Sequence, residues 1–333
     1  MRPFDYRAAA DPAAASRMAG SAPEAAYLAG GTTLVDLMKL DVMRPKTVID
    51  INALAGDWGK GEADGGGLRL GALTRMSDVA AHPAVRRDYP VIAQSLDLAA
   101  SAQLRNMASL GGNVLQRTRC TYFRDVSWKA CNKRAPGSGC AAIGGVNRTH
   151  AVLGASPSCI ATYPGDLAAA LIALDAAVSL AGPDGARSIP FADLHTEPKD
   201  NPEVETTLRP AELIVGFTIP AGPWTRRSVY TKVRDRQSYE FALASAAVAL
   251  DMDGETVRSA RIALGGVATR PWRAREAEAV LAGARLDEEA AQMAGRAAFV
   301  GAVTHGGNDY KPRLGAATVT RALLEAKALE IAG

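Results

Sequence analysis

All four cysteines of this 333-residue chain fall inside one 40-residue window, at Cys120, Cys131, Cys140 and Cys159. From 120 to 158 the sequence is rich in Arg, Gly, Pro, Asn and Ser and shows little hydrophobic periodicity, so it reads as a long loop. A loop of that length buries too little apolar surface to offset the entropy of ordering it, and it calls for an external staple. Four thiols permit two disulfides, a tetrahedral zinc site or an iron–sulfur cluster. The opening residues Met1-Arg2-Pro3-Phe4-Asp5-Tyr6 form no apolar run, and the pairs Arg86-Arg87 and Arg226-Arg227 lie far inside the chain. No export signal of its own is therefore expected, which weighs against disulfides. The gaps of ten, eight and eighteen residues lack the paired C-x₂₋₄-C knuckles of structural zinc sites, which makes zinc the lesser option. A cubane [4Fe–4S] cluster also takes four thiolates and tolerates wider spacings. Arg117, Arg119, Arg124, Lys129, Lys133, Arg134 and Arg148 supply positive charge that would offset one. His150, in the same window, reads as a hydrogen-bonding or surface residue.

The chain as a whole is 48% hydrophobic and 22% charged, a folded composition about two domains long. A net charge of +3 is too small for the electrostatic footprint of nucleic-acid binding. The longest apolar stretches, 167–181 and 241–250, fall short of the ~18 residues a membrane helix needs.

Three units follow from periodicity and punctuation. In 1–60 a helical stretch after Pro12 runs to about position 19, and the strand Ala25-Ala26-Tyr27-Leu28-Ala29 enters Gly30-Gly31-Thr32-Thr33. Leu34, Leu37, Met38 and Leu40 then recur at helical spacing, with Thr32 or Thr33 as the cap, before a strand at 47–51. Six glycines between 56 and 67 mark a loop or hairpin. In 61–220 a strand at 68–73 precedes helical patterns at 77–82 and 91–100 and a second glycine turn, Ser109-Leu110-Gly111-Gly112-Asn113. The Cys-rich insertion 114–160 interrupts this unit, which resumes with a helix or strand pair at 166–180 and strands at 188–189 and 213–219. In 221–333, strands at 229–233, 241–252 and 257–265, with a turn at Asp253-Gly254, precede helices at 274–282, 287–303 and 313–330. That order predicts an antiparallel sheet backed by helices, and an α+β fold overall.

The turn Gly30-Gly31-Thr32-Thr33 lies between strand and helix, where free backbone N–H groups receive phosphate oxygens. Its spacing is neither G-x-G-x-x-G nor G-x-x-x-x-G-K-[ST], which disfavours Rossmann and P-loop sites. Two such turns either grip the two ends of a diphosphate or are unrelated tight turns. Asp166, heading an apolar run, reads as a helix cap or as an acceptor for ribose hydroxyls, and Lys232 as a solvated strand lysine.

Several ordered segments carry a resemblance. The run from Tyr27-Leu28-Ala29-Gly30-Gly31-Thr32-Thr33-Leu34 to Lys39, then Gln103-Leu104-Arg105-Asn106, Ser109-Leu110-Gly111-Gly112-Asn113 and Gly165-Asp166-Leu167 resemble the FAD-binding medium subunit of the xanthine dehydrogenase family of molybdenum hydroxylases. The likeness covers essentially the whole chain. The insertion from Asn113 to Cys140 is similar, more narrowly, to the FAD subunit of bacterial periplasmic aldehyde oxidoreductases, a subtype with a [4Fe–4S] cluster.

The resemblance implies a two-lobed FAD-binding domain of the PCMH type, then a carboxy-terminal domain of the CO dehydrogenase flavoprotein type. It implies FAD held by Leu28, Ala29, Gly30, Gly31, Thr32, Thr33 and Leu34 on one side and Ser109, Gly112 and Asn113 on the other. Asp166 would take a ribose or adenosine hydroxyl, Lys232 would lie near the flavin, and Cys120, Cys131, Cys140 and Cys159 would hold the cluster. Gly165 stands where relatives often have serine. Implied partners are a molybdenum-cofactor large subunit, a small subunit with two [2Fe–2S] centres and an external electron acceptor. Two such centres need eight thiolates, twice what this chain has. Location follows from the partners: periplasmic by export alongside a signal-bearing subunit, otherwise cytoplasmic. The alternatives are a stand-alone FAD oxidase of the vanillyl-alcohol oxidase type and a non-enzymatic four-cysteine zinc scaffold.

Overall fold

A computed structural model describes residues 1–22, 24–59, 61–64 and 66–331. Three sheets organise them. The first holds β1 (Asp5–Ala8), β2 (Ala25–Leu28) and β3 (Thr47–Asp50), all parallel, in the order β1-β3-β2. Parallel neighbours need crossovers, supplied here by the helices Pro12–Ser21 and Leu34–Lys39. The first helix starts cleanly: Pro12 occupies its opening turn, and the Asp11 carboxylate accepts the Ala14 N–H at 2.6 Å. The second does not start as the sequence suggests. Thr33 is itself helical in conformation (φ −108°, ψ −47°), and neither it nor Thr32 caps the helix through its side chain. β1 escapes a reading by hydrophobic alternation because all four of its residues are exposed.

The second sheet is antiparallel, with β4 (Gly61–Asp64), β5 (Gly67–Gly71), β6 (Ala177–Gly182), β7 (Gly185–Pro190) and β8 (Leu213–Pro220) in the order β4-β5-β8-β6-β7. The glycine-rich stretch 56–67 is thus partly a hairpin; its positions 60 and 65 lie outside the described residues. Short helices Met76–Ala81, Pro83–Asp88, Pro90–Asp97 and Ala102–Met107 follow β5, and Leu167–Ala173, every residue of which is buried, precedes β6. The supposed second glycine turn is instead a five-residue helix, Leu110–Val114, with Ser109 as its cap. Gly111 fits there because its backbone lies against Ala72, which a Cβ would approach to 3.1 Å.

The third sheet, also antiparallel, runs β12-β11-β10-β9, with β9 (Ser228–Val233), β10 (Ala244–Asp253), β11 (Thr256–Gly265) and β12 (Trp272–Arg273). Both faces are covered. Tyr230, Ala247, Ala249 and Ala263 pack into the core shared with Leu167–Ala173 and the second sheet. Their neighbours Val229, Val248, Leu250, Ile262 and Leu264 pack into a second core with the helices Arg275–Leu281, Glu288–Ala297 and Lys311–Lys327. The alternation is the period of a strand. The middle helix ends at Ala297, short of position 303, and the chain turns with Gly301 at φ +81°.

The cysteine segment is loop apart from one helical turn, Thr121–Arg124, and is tethered mainly by charge. Arg124 and Arg119 reach Asp36 on the helix after β2 (2.7 and 3.5 Å), and Lys133 (2.8 Å) and Arg117 both pair with Glu205. Arg148 forms a two-pronged pair with Asp235, both bonds at 2.7 Å. Two small apolar clusters assist: Leu37, Phe123 and Cys131, and Tyr122, Ala142 and Ile160.

The alanine face of the third sheet sets a size limit. Ala249 is fully buried in the core that contains the Leu167–Ala173 helix. Ala249→Leu is expected to destabilise the chain by about 1–3 kcal/mol through overpacking, read as a lowered midpoint in chemical denaturation.

Candidate functional site

The segment between β2 and its helix meets the segment before Leu110 at very close range. A Cβ on Gly30 would lie 2.1 Å from the Met107 carbonyl oxygen, so glycine is required by backbone packing. A buttress holds the contact. Arg75 donates to Met107 O (2.5 Å) and to Asn52 Oδ1 (3.1 Å), and Asn52 Nδ2 donates to Ala29 O (3.0 Å). Asp50 Oδ1 accepts from both the backbone N–H and the side-chain amide of Asn52. Sequence reading missed Arg75 and Asn52 because each is polar and isolated in an unremarkable stretch.

Two cavities flank this contact and share Thr32, Thr33 and Ala108. One, of about 380 Å³, is lined by Ala29, Gly30, Gly31, Leu34, Ser109 and Gly112 among others. The second, of about 540 Å³, is lined by Asp36, Asn113, Arg119, Arg124, Asp166 and Phe241 among others. Of the twelve residues singled out for a cofactor, ten therefore line one or both. Leu28 and Lys232 line neither.

The two glycine segments differ in what they offer. Gly31 lies at φ +73°, and the N–H groups of Gly31, Thr32 and Thr33 have no hydrogen-bond acceptor among the described residues. In the second segment the donors are consumed: Leu110 N–H goes to Thr74 O, Gly111 N–H to Ala72 O, Gly112 N–H to Ser109 Oγ and Asn113 N–H to Ser109 O. That segment offers close approach and the Asn113 side chain, whose Oδ1 is buried and unpaired.

Asp166 and Lys232 also depart from their expected roles. Asp166 heads Leu167–Ala173 but makes no side-chain cap. Its carboxylate instead accepts from Tyr230 Oη (2.6 Å) and Lys232 Nζ (2.8 Å), and Lys232 donates further to Leu98 O (3.0 Å). The Lys232 side chain is 1% exposed, so it is no solvated strand lysine. Burial, then the adjacent Asp166 charge, pushes the Tyr230 phenol well above its usual range. A Cβ at Gly165 would lie 2.5 Å from the Tyr163 hydroxyl and 2.7 Å from its ring, and that hydroxyl is already engaged with Val114 O, so serine does not fit there without displacing it.

Two arginines read in the sequence only as counter-charge turn out to line the larger cavity. Arg119 and Arg124 share the single carboxylate of Asp36, and Arg119 Nε and Arg124 Nη1 are buried without partners. Arg119 also stacks on Phe241 at 4.9 Å. Desolvation and the Arg124 charge lower the Arg119 pKa from its ordinary value. Two partly covered cations thus face the Asp36 carboxylate in the wall of this cavity, which also carries Arg236, Asp166 and Glu240.

The four cysteine sulfurs are free of disulfides and their residues line one common cavity. Cys140 and Cys159 act on each other, which holds the Cys140 thiol below the ordinary thiol range and, together with burial, pushes Cys159 above it. Burial pushes the Cys120 thiol up to about 11. Among the described residues no three His, Cys, Asp or Glu side chains converge on a single metal ion, which goes against the zinc scaffold.

Comparisons with known proteins identify the family. The family described as "FAD binding domain in molybdopterin dehydrogenase" matches residues 2–222, and "CO dehydrogenase flavoprotein C-terminal domain" matches 228–326. The chain is 47% identical over 330 residues to the aldehyde oxidoreductase FAD-binding subunit PaoB of Escherichia coli (strain K12), covering 98% of this chain and 99% of that one. It is 27% identical over 334 residues to the carbon monoxide dehydrogenase medium chain of Afipia carboxidovorans, covering 98% and 97%. A solved carbon monoxide dehydrogenase chain from Hydrogenophaga pseudoflava superposes with a TM-score of 0.75 at 28% identity, covering 98% of this chain and 99% of that one. With two family matches across its length and a relative at 47% identity, this chain belongs to the FAD-binding medium subunits of the molybdenum hydroxylase family.

Proposed function

We propose that this chain relays electrons within an aldehyde-oxidising complex, taking them from iron–sulfur centres on a small subunit and passing them to an external acceptor, while a molybdenum-bearing large subunit oxidises the substrate. The observation that carries the proposal is the cavity wall beside the glycine loop, where Asn113, Arg119 and Arg124 each hold an unpaired buried polar atom. Unpaired buried donors and acceptors are costly unless a ligand satisfies them. FAD accepts electrons singly from iron–sulfur centres and releases them in pairs.

The residues fit such a group. The free N–H groups of Gly31, Thr32 and Thr33 would receive phosphate oxygens, with Ala29, Gly30 and Leu34 forming the adjoining wall and Leu28 anchoring the strand behind it. Ser109 and Gly112 hold the opposite side close, and Asn113 adds an amide. Asp166, already bonded to Tyr230 and Lys232, presents a fixed carboxylate at the cavity wall, and Lys232 acts on the site through it.

The same reading gives the Cys120, Cys131, Cys140 and Cys159 cavity a [4Fe–4S] cluster with a role in holding the loop. Support comes from four cysteines that line one space together with Lys133, and from the other cations of the segment. The 47% likeness to an aldehyde oxidoreductase subunit favours aldehydes as the substrate of the complex.

Three outcomes are expected. Arg119→Gln weakens FAD binding roughly ten- to a hundredfold, the equivalent of one charge-assisted hydrogen bond at ~1.5–3 kcal/mol, measured by flavin fluorescence on the apo-chain; unchanged affinity removes Arg119 from the site. Cys131→Ser lowers bound iron and makes the 120–159 loop protease-sensitive; full iron with unchanged proteolysis refutes the cluster. The purified chain oxidises no aromatic aldehyde with a dye acceptor, and turnover appears when molybdenum and [2Fe–2S] subunits are added. Aldehyde turnover by the molybdenum-free chain would mean that the chemistry resides here.

A further inference from the structure

His150 stands beside the cysteine cavity, and nothing in the reading so far uses it. Its Nε2 lies 3.2 Å from Cys120 Sγ, and the residue is buried. Its backbone is fixed on both sides: His150 N–H donates to Asn147 O at 2.9 Å, and Asn308 Nδ2 donates to Ala151 O at 3.1 Å and His150 O at 3.4 Å. Lys311, fully buried, donates to Thr149 O (2.9 Å) and Gly266 O (2.6 Å), which pins the residue before it. A ring placed this firmly has a defined direction.

The proton on that ring has one good position. Each ring nitrogen donates where it carries a proton and accepts where it does not. Nδ1 is buried with no partner among the described residues. A proton there would be an orphaned donor, whereas a proton on Nε2 points at sulfur. An N–H donor is best matched by a thiolate rather than a thiol, since charge-assisted hydrogen bonds are the stronger ones. A cluster ligand is a thiolate, so a metal centre behind Cys120 supplies that acceptor.

Place adds meaning to the contact. Cys120 and His150 line a cavity together with Arg119, Pro164, Glu240 and Phe241. Those last four residues also line the large cavity assigned to FAD. Of the four cysteines, Cys120 alone lines that intermediate space.

We propose that His150 is a positioning residue for the cluster, donating its Nε2–H to the Cys120 thiolate, and that Cys120 is the ligand at the corner turned toward the FAD cavity. The proposal rests on the cluster reading given above. Hydrogen bonds to cluster sulfurs offset the charge added on reduction and raise the reduction potential. His150 thereby sets how readily the cluster takes an electron at the corner nearest the flavin.

The test uses the purified full-length chain, on which iron is counted apart from partner centres. His150→Leu, which keeps bulk and loses the donor, shifts the cluster midpoint in an EPR-monitored titration to more negative values at unchanged iron content. His150→Gln, whose side-chain amide reaches the Nε2 position, returns it toward the wild-type value. Pulsed EPR of the reduced wild-type chain grown with ¹⁵N-histidine shows a weak nitrogen coupling. An unchanged midpoint in His150→Leu at full iron overturns the proposal, as does a missing ¹⁵N coupling. If His150→Leu loses its iron, the wild-type coupling decides. A wild-type chain that binds no iron overturns the cluster reading itself, and this inference with it.

Discussion

Two backbone segments, one leaving β2 and one ending the Ala102–Met107 helix, touch where Gly30 meets Met107, and the site is built outward from that contact. No side chain fits between them, so the distance is set by the main chain and does not vary with rotamers. The Arg75–Asn52 buttress fixes the carbonyls on each side, which fixes where the free N–H groups of Gly31, Thr32 and Thr33 point. A cavity opens on either flank because the contact is only as wide as the two chains. Preorganisation of this kind lets a long, two-ended ligand be gripped at its middle without ordering a loop at the moment of binding.

The third sheet serves that geometry from below. Its alanine face lets the Leu167–Ala173 helix approach closely, and that helix carries Asp166 at its start, with Lys232 and Tyr230 on β9 meeting the carboxylate. A buried lysine and a buried aspartate compensate each other there, and the tyrosine and the Leu98 carbonyl satisfy what remains. One electrostatic unit thus joins the two halves of the chain matched by different family descriptions.

Much of this was legible in the sequence where periodicity is strong. The strands around 47–51, 213–219 and 257–265 and the long carboxy-terminal helix carry unambiguous patterns, and the first glycine turn is where its residues place it. The failures have physical causes. β1 has no buried face to produce alternation, and Gly111-Gly112 reads as a turn because helix propensity says nothing about the close contact with Ala72 that selects glycine. Lys232 reads as solvated because its partner is 66 residues away in sequence. Arg119 and Arg124 were visible as charges, but their convergence on Asp36 is a tertiary fact.

The tethers of the cysteine segment differ in their exposure, and this bears on how the molecule responds to its medium. Glu205 sits under Arg117 and Lys133 with all three side chains largely covered, whereas Arg148 and Asp235 face each other with about half of each side chain in water. Dissolved salt screens the second kind of pair and barely touches the first. Ionic strength therefore acts unevenly on the segment: in concentrated salt the loop stays anchored beside Glu205 while its bond to the β9–β10 connection weakens, so that the surroundings set how stiffly that side of the loop is held to the third sheet.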